Sequence, residues 1–437
     1  MKQNALSALG RRTAPPAISW LMKTALARPK LISLAAGFTD NSTLPVEISR
    51  KLLNDILRSP KTGQPALQYG FTAGENNLRQ LTAKHLQKLD GGHDRAHSPD
   101  RVIITGGSQQ LLYMTLEALC DEGDIILVEN PTYFVFLSIL QSRGLKARGV
   151  KLERDGLDLV HLEKVLTQLK KTGELRRVKA LYLITYFQNP TGATTSLAKK
   201  SAALALLKKF ERAAGHPIYL LEDAAYRELS FPGRADLPVS QEQRIPTIPP
   251  TALTLPGAAE RVIYTGTYSK PFAPGARLGF GILPEPLFTT VQRIKGNHDF
   301  GTANLLQQLL ARALATGLYD RHVAKVQKNY ARKARVMKQA LAEHFPANVE
   351  IWASGGGLYF WARLPKGISA GVKSKVFQTA LKNDVLYVPG ELCYADDPAR
   401  AKPDNEMRIS FGSASEENIR KGIARLGKVL RKFLQPA

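Results

Sequence analysis

Lys270 stands where a run of β-branched and aromatic residues, Val262–Thr267, breaks into small and hydroxyl-bearing ones. Thr267 and Ser269 precede it, and Arg277 follows seven positions later. Pro271, Pro274 and Gly275 forbid regular structure in between, so the spacing predicts a lysine on a fixed loop at a strand's end. Pro271 also pushes Lys270 toward an extended backbone. A lysine held beside hydroxyls and a second cation can do two jobs. Its amine can condense with a carbonyl, and its neighbours can hold a phosphate.

Four other predicted strands end in residues of the same kind. After 101–105, Gly106-Gly107-Ser108-Gln109 opens a helix over 110–119, and free N–H groups at such a turn make an anion site. It is neither a Walker loop nor a Rossmann turn. After 125–128 come Asn130-Pro131-Thr132-Tyr133, and after 178–185 comes Gln188-Asn189-Pro190-Thr191-Gly192. The strand 218–221 ends in Glu222 and Asp223, with Tyr226 three residues on. A carboxylate there is costly unless a cation pairs with it. In open α/β sheets ligands bind outside the carboxyl ends of the strands, so these segments converge on one edge.

Together these segments resemble the fold type I pyridoxal-phosphate (PLP) aminotransferases, class I/II, from about residue 15 to the C-terminus. The likeness is greatest to stand-alone enzymes of the aminoadipate, aromatic and branched-chain type. The resemblance implies an α/β, PLP-transferase type I fold: a large domain with a mostly parallel seven-stranded sheet, and a smaller α+β domain. It divides the chain into an arm with part of the small domain (1–50), the large domain (51–315) and the rest of the small domain (316–437). It implies pyridoxal 5'-phosphate as cofactor, carried by Lys270, which then moves the proton at the substrate's Cα. Asp223 would face the ring nitrogen, Asn189 and Tyr226 the phenolic oxygen, and Tyr133 the ring face. Gly107, Ser108, Gln109 and Arg277 would hold the phosphate, helped by Thr267 and Ser269. Arg408, within a strand over 407–411, would grip the substrate α-carboxylate, for which a planar fork suits better than a lysine. Asn189 and Gly37 would also border the substrate. Tyr69 would cross a homodimer interface to the partner's phosphate.

The expected reaction moves an amino group between an L-amino acid and a 2-oxo acid, with aminoadipate-like, aromatic or aliphatic donors open. PLP-dependent elimination or other Cα chemistry uses the same residues and is the alternative. The chain departs from the family at 38–45, where Phe38-Thr39-Asp40-Asn41-Ser42-Thr43-Leu44-Pro45 replaces a glycine- and proline-rich turn. Met22-Lys23 stands near the place where relatives acting on acidic side chains tend to carry an arginine.

The elements that must position these residues follow from pattern. Helices are expected over 15–27, 75–89 and 319–345 and from Ser415 onward, and strands over 355–362 and 385–390. At 437 residues, two or three domains are expected. Hydrophobic content of 44% and charged content of 22% are those of an ordinary globular protein, and no apolar run could span a bilayer. Cys120 and Cys393 offer no disulfide framework or metal spacing, which favours a reducing compartment such as the cytoplasm. Residues 1–39 hold six basic and no acidic residues and read as a helical arm packed on the body rather than a transit peptide. The net charge of +24 raises a rival reading, nucleic-acid binding. Its best candidate is the helical stripe Arg321, Lys325, Lys328, Arg332 and Arg335, against which stands a buried face of Val326, Tyr330, Met337 and Leu341.

Overall fold

The structure, a computed structural model, describes residues 5–92, 97–231, 248–352, 355–398 and 400–434. The chain enters through two helices, Ala8–Arg12 and Ala17–Leu26, and a two-residue strand, β1 (Ile32–Ser33). The arm lies on the body as expected: Arg12 Nε donates to Ser142 O at 3.0 Å, and Gln141 Nε2 donates to Arg12 O at 2.6 Å.

One large sheet follows, built from β2 (Val102–Thr105), β3 (Ile125–Asn130), β4 (Lys146–Glu153), β5 (Gly156–Leu157), β6 (Val178–Ile184), β7 (Tyr219–Asp223), β8 (Val262–Thr267) and β9 (Gly279–Ile282). Their spatial order is β2-β9-β8-β7-β6-β3-β4-β5. The pairs from β8 to β4 are parallel, whereas β9 runs antiparallel to both β2 and β8. The seven expected strands are thus present, and a two-residue eighth, β5, folds back on the edge. Apart from β4, the strands are buried nearly end to end, because helices pack against the sheet: Ser108–Leu119 on β8 and β9, Leu159–Lys171 on β4, Leu197–Ala214 on β7. Strand order reverses between β3 and β6, and the crevice at such a reversal is where ligands settle in this kind of sheet.

The second sheet comprises β10 (Glu350–Trp352), β11 (Tyr359–Arg363), β13 (Val388–Pro389) and β14 (Glu406–Ser410), all antiparallel, with β12 (Val385–Leu386) beside them in the chain. The single strand expected over 385–390 is split. β12 pairs in parallel with β1 and β13 pairs with β14, and the intervening Tyr387 anchors its hydroxyl on Ala370 O at 2.9 Å.

The long helix runs Leu318–His344, one residue earlier at each end than its pattern indicates. Gly317, left-handed at φ +68°, starts it. Val326, Tyr330, Met337 and Leu341 are buried along it, while the five stripe residues are exposed. Cys120 and Cys393 are both buried with no disulfide, and burial pushes each thiol up to about 12. Among the described residues no helix is long and apolar enough to cross a membrane.

Candidate active site

β8 delivers Lys270. Past Thr267 the chain turns, and the lysine's Nζ donates to Gly37 O at 3.0 Å. Burial, then the charges of Arg408 and Arg277, push the ammonium down to about 8. On the neighbouring strand, Asp223 is 4% exposed at the end of β7. Its Oδ2 accepts from the Tyr182 hydroxyl at 2.8 Å and its Oδ1 from the Ala225 N–H at 3.1 Å. Burial still wins over these bonds and raises the carboxyl to about 6. Tyr182 comes from β6, where its ring stacks on Phe136 at 3.7 Å between centroids.

The turn after β6 carries Asn189, which bridges two groups. Its Oδ1 accepts from Arg408 Nη1 at 2.8 Å, and its Nδ2 donates to the Tyr226 hydroxyl at 3.4 Å. Tyr226 in turn shares a 3.0 Å hydrogen bond with the Tyr359 hydroxyl. Arg408 is 1% exposed. Nη2 donates to Ala35 O at 2.6 Å, and the guanidinium lies 4.4 Å from the Tyr359 ring centre and 5.3 Å from that of Phe134. Its Nε is buried with no partner. Gly37 leaves room for a neighbour: a Cβ there would run into the Tyr359 hydroxyl.

The opposite end is the anion cup. Gly107, at φ +90°, caps the helix beginning at Ser108, and a Cβ on Gly107 would sit 2.6 Å from Arg277 Nη2. Arg277, left-handed at φ +48°, donates to Gly106 O at 3.2 Å and to Ser269 Oγ at 3.5 Å. Ser269 N–H donates to Thr267 Oγ1 at 3.1 Å, which points both hydroxyl residues along the same turn.

These groups border one cavity of about 190 Å³. Gly37, Ser108, Gln109, Tyr133, Asn189 and Asp223 line it, and so do Tyr226, Thr267, Ser269, Lys270, Arg277 and Arg408. Gly107 sits at the helix cap beside it. Tyr69 does not reach it in this chain: it is 83% exposed and meets Phe300 edge-on at 5.5 Å. Met22 and Lys23 are exposed, and Ile18 is the residue of that helix that lines the cavity. The divergent 38–45 segment puts Phe38 on the cavity and then turns away. Asp40 holds it to the long helix through Lys333 at 2.8 Å and Asn329 at 3.0 Å. Burial raises that carboxyl, but these bonds outweigh it and bring it down to about 2.

Sequence reasoning missed Tyr182, Tyr359 and Phe134. A tyrosine inside a largely apolar strand needs a partner for its hydroxyl, and that was the available signal for Tyr182 and Tyr359. Phe134 carries no such mark.

The donor set fits pyridoxal phosphate: a helix N-terminus, hydroxyls and an arginine for a phosphate, a buried carboxyl for a ring N–H, and an amine between them. Among the described residues no group of three His, Cys, Asp or Glu is placed to hold a metal ion.

Comparison with known proteins agrees. The family model for aminotransferase class I and II matches residues 29–426. The 2-aminoadipate transaminase of Thermus thermophilus is 33% identical over 408 residues, 93% of this chain and 92% of that protein. Aromatic-amino-acid aminotransferase 1 of Thermococcus litoralis is 32% identical, covering 93% of this chain and 89% of its own. Among solved structures, the kynurenine aminotransferase of Pyrococcus horikoshii superposes with a TM-score of 0.86 at 30% identity, over 99% of this chain and 98% of that one. With its fold, its cavity and its relatives in agreement, the chain belongs to the class I and II aminotransferases and is a pyridoxal-phosphate-dependent transaminase.

Proposed function

We propose that this transaminase takes its amino group from an L-amino acid with an apolar side chain, aromatic or aliphatic, and returns it to a 2-oxo acid. The observation that carries this reading is the cavity wall beyond Gly37. Ile18, Phe38 and Val135 line it, and its lining cations among the described residues are Lys270, Arg277 and Arg408. Each already has a place in the scheme, which leaves none for a second substrate carboxylate.

When bound, pyridoxal phosphate supplies an aldehyde for the amino group and a ring that draws off the electron pair of Cα. Lys270 holds and moves the proton at Cα, and an ammonium lowered to about 8 keeps the neutral amine accessible near neutral pH. Asp223, steadied by Tyr182 and Ala225, would accept from the ring N–H and keep that nitrogen protonated. Asn189 and Tyr226 would donate to the phenolic oxygen, and Tyr133 would offer its ring to the cofactor's. Ser108, Gln109, Thr267, Ser269 and Arg277, with the glycine turn at Gly107, hold the phosphate. Arg408 meets the α-carboxylate, with an Nε still free to donate.

We also read the division at 50/51 and 315/316 as that of the two domains. The large sheet falls inside 51–315, and the second sheet inside 316–437. A homodimer is part of the reading: Leu67, Tyr69, Phe71 and Phe300 are all exposed apolar or aromatic residues, and Tyr69 and Phe300 form one cluster. Two buried cysteines outside any disulfide favour the cytoplasm.

The test is a visible spectrum of the purified holoenzyme, before and after single amino acids. The bound-cofactor band is expected to bleach with phenylalanine or leucine, to resist aminoadipate, and to be missing in Lys270→Ala. Bleaching by aminoadipate alone would overturn the substrate class, and a normal band in Lys270→Ala would overturn the site.

A further inference from the structure

Three carboxyl groups crowd the carboxyl ends of β3 and β7, and they are compensated in three different ways. Glu222 is fully buried and has a cation: Lys200 Nζ lies 2.7 Å away, itself fully buried. Thr185 Oγ1 at 2.8 Å and the Ala252 N–H at 2.7 Å complete its shell. Asp223 faces the cavity and, on the reading above, receives the cofactor's ring N–H. Glu129, the next-to-last residue of β3, has neither.

Glu129 is fully buried. Its Oε2 accepts from the Ile184 N–H at 3.0 Å and from Gln188 Nε2 at 3.2 Å. Its Oε1 is buried without a partner. Among the described residues, none brings a positive charge to it. On β4 it stands opposite Val150, and the titratable groups that act on it or feel it are Asp223 from β7 and Tyr182 from β6. Two uncompensated carboxylates on this edge of the sheet would be costly, and taking up one proton removes the cost. Asp223 has the Tyr182 hydroxyl pointed at one oxygen and an amide at the other, so both of its oxygens are already acceptors. Glu129 has a whole oxygen free.

We propose that Glu129 is a positioning residue held as the uncharged acid, tying the Asn189 turn to β3 while leaving Asp223 as the uncompensated negative charge of this edge. The tie runs through Gln188. Its Nε2 also donates to Pro131 O at 2.8 Å, and its Oε1 accepts from Thr191 N–H at 2.9 Å and Thr191 Oγ1 at 2.7 Å. Gln188 is therefore locked on both sides, and Asn189, the next residue, is set against Arg408 and Tyr226. Burial, augmented by the charge of Asp223, raises the Glu129 carboxyl to about 8, against about 6 for Asp223, which agrees with the proton residing on Glu129.

The proposal rests on the reading of Asp223 only for its consequence in the loaded enzyme, so its test uses the cofactor-free protein. An acid whose pKa is raised by folding stabilises the fold at low pH and loses that contribution as pH climbs through the folded value. The melting temperature of wild type minus that of Glu129→Gln should therefore fall by a few degrees from pH 6 to pH 9. Glu129→Gln, an isostere of the neutral acid, should fold and bind pyridoxal phosphate at pH 7 within about twofold of wild type. Glu129→Ala should loosen the Asn189 turn and raise the cofactor Kd at every pH. Parallel melting curves, a Glu129→Gln protein that fails to fold, or a pH-dependent decline removed by Asp223→Asn and kept in Glu129→Gln would each overturn it.

Discussion

The two arginines of the cavity are built differently. Arg408 comes from the middle of a strand, is 1% exposed, and is fixed by two short bonds, at 2.8 and 2.6 Å, between two aromatic rings. Arg277 comes from a loop, is exposed, and its contacts to Ser269, Pro274 and Gly106 stretch from 3.2 to 3.5 Å. A preformed fork suits a planar carboxylate that must arrive in one orientation, while a loosely held cation can close on a tetrahedral phosphate. On the proposed reading, the difference separates a site for substrate selection from one for cofactor retention.

The sharpest way to break that separation is Arg408→Lys. Losing the fork removes up to two charge-assisted hydrogen bonds, each about 1.5–3 kcal/mol, so kcat/KM for donor and acceptor alike should fall by roughly 10²–10⁴. Steady-state kinetics at saturating cofactor would show it, with cofactor Kd unchanged; an equal loss of cofactor would erase the distinction. Next, Arg277→Gln should raise the cofactor Kd by about 10–100-fold, the worth of one such bond. Excess cofactor should restore kcat to within about threefold, and a kcat that stays low would place Arg277 with the substrate instead. Gly37→Ala, which drives a methyl into Tyr359 beneath Arg408, should lower kcat by about tenfold through 1–3 kcal/mol of overpacking.

A different kind of effect concerns the amine between the two arginines. Lys270 is lowered from its ordinary 10.5 to about 8, so between those values the unfolded chain binds the extra proton. Stability of the cofactor-free protein should therefore rise across pH 8–10.5, and that rise should vanish in Lys270→Met. A rise that survives the substitution would assign it to another group.

Much of this edge was legible because it obeys two local rules. Val262–Thr267, Val178–Ile184 and Tyr219–Asp223 are apolar runs that read as buried strands, and each breaks into a turn whose residue types announce ligands. Lys270, Asp223 and Asn189 could be found without knowing which strand neighbours which. What stayed hidden depends on pairing at long range. The split of 385–390 between two sheets follows from partners at Ile32 and Arg408, which no local pattern reveals. β4, with its exposed and buried residues mixed, carried too little alternation to stand out. Glu222 and Asp223 are adjacent carboxylates in the sequence, and only Lys200, 22 positions upstream, tells them apart.

The parallel pairing of β1 with β12 also has a consequence for how the protein is made. Gly37, which receives the Lys270 ammonium, and Ala35, which receives Arg408, belong to a segment held in place by residues 385–386. The acceptor for Lys270 is separated from it by 233 positions, and that for Arg408 by 373. At a synthesis rate of about 5–20 residues per second, the strands carrying Lys270 and Asp223 emerge on the order of ten seconds before the residues that complete the cavity. During that interval β1 has no strand to pair with, and the nascent chain has the large sheet but not Arg408. The cavity is complete only when the two ends of the polypeptide meet.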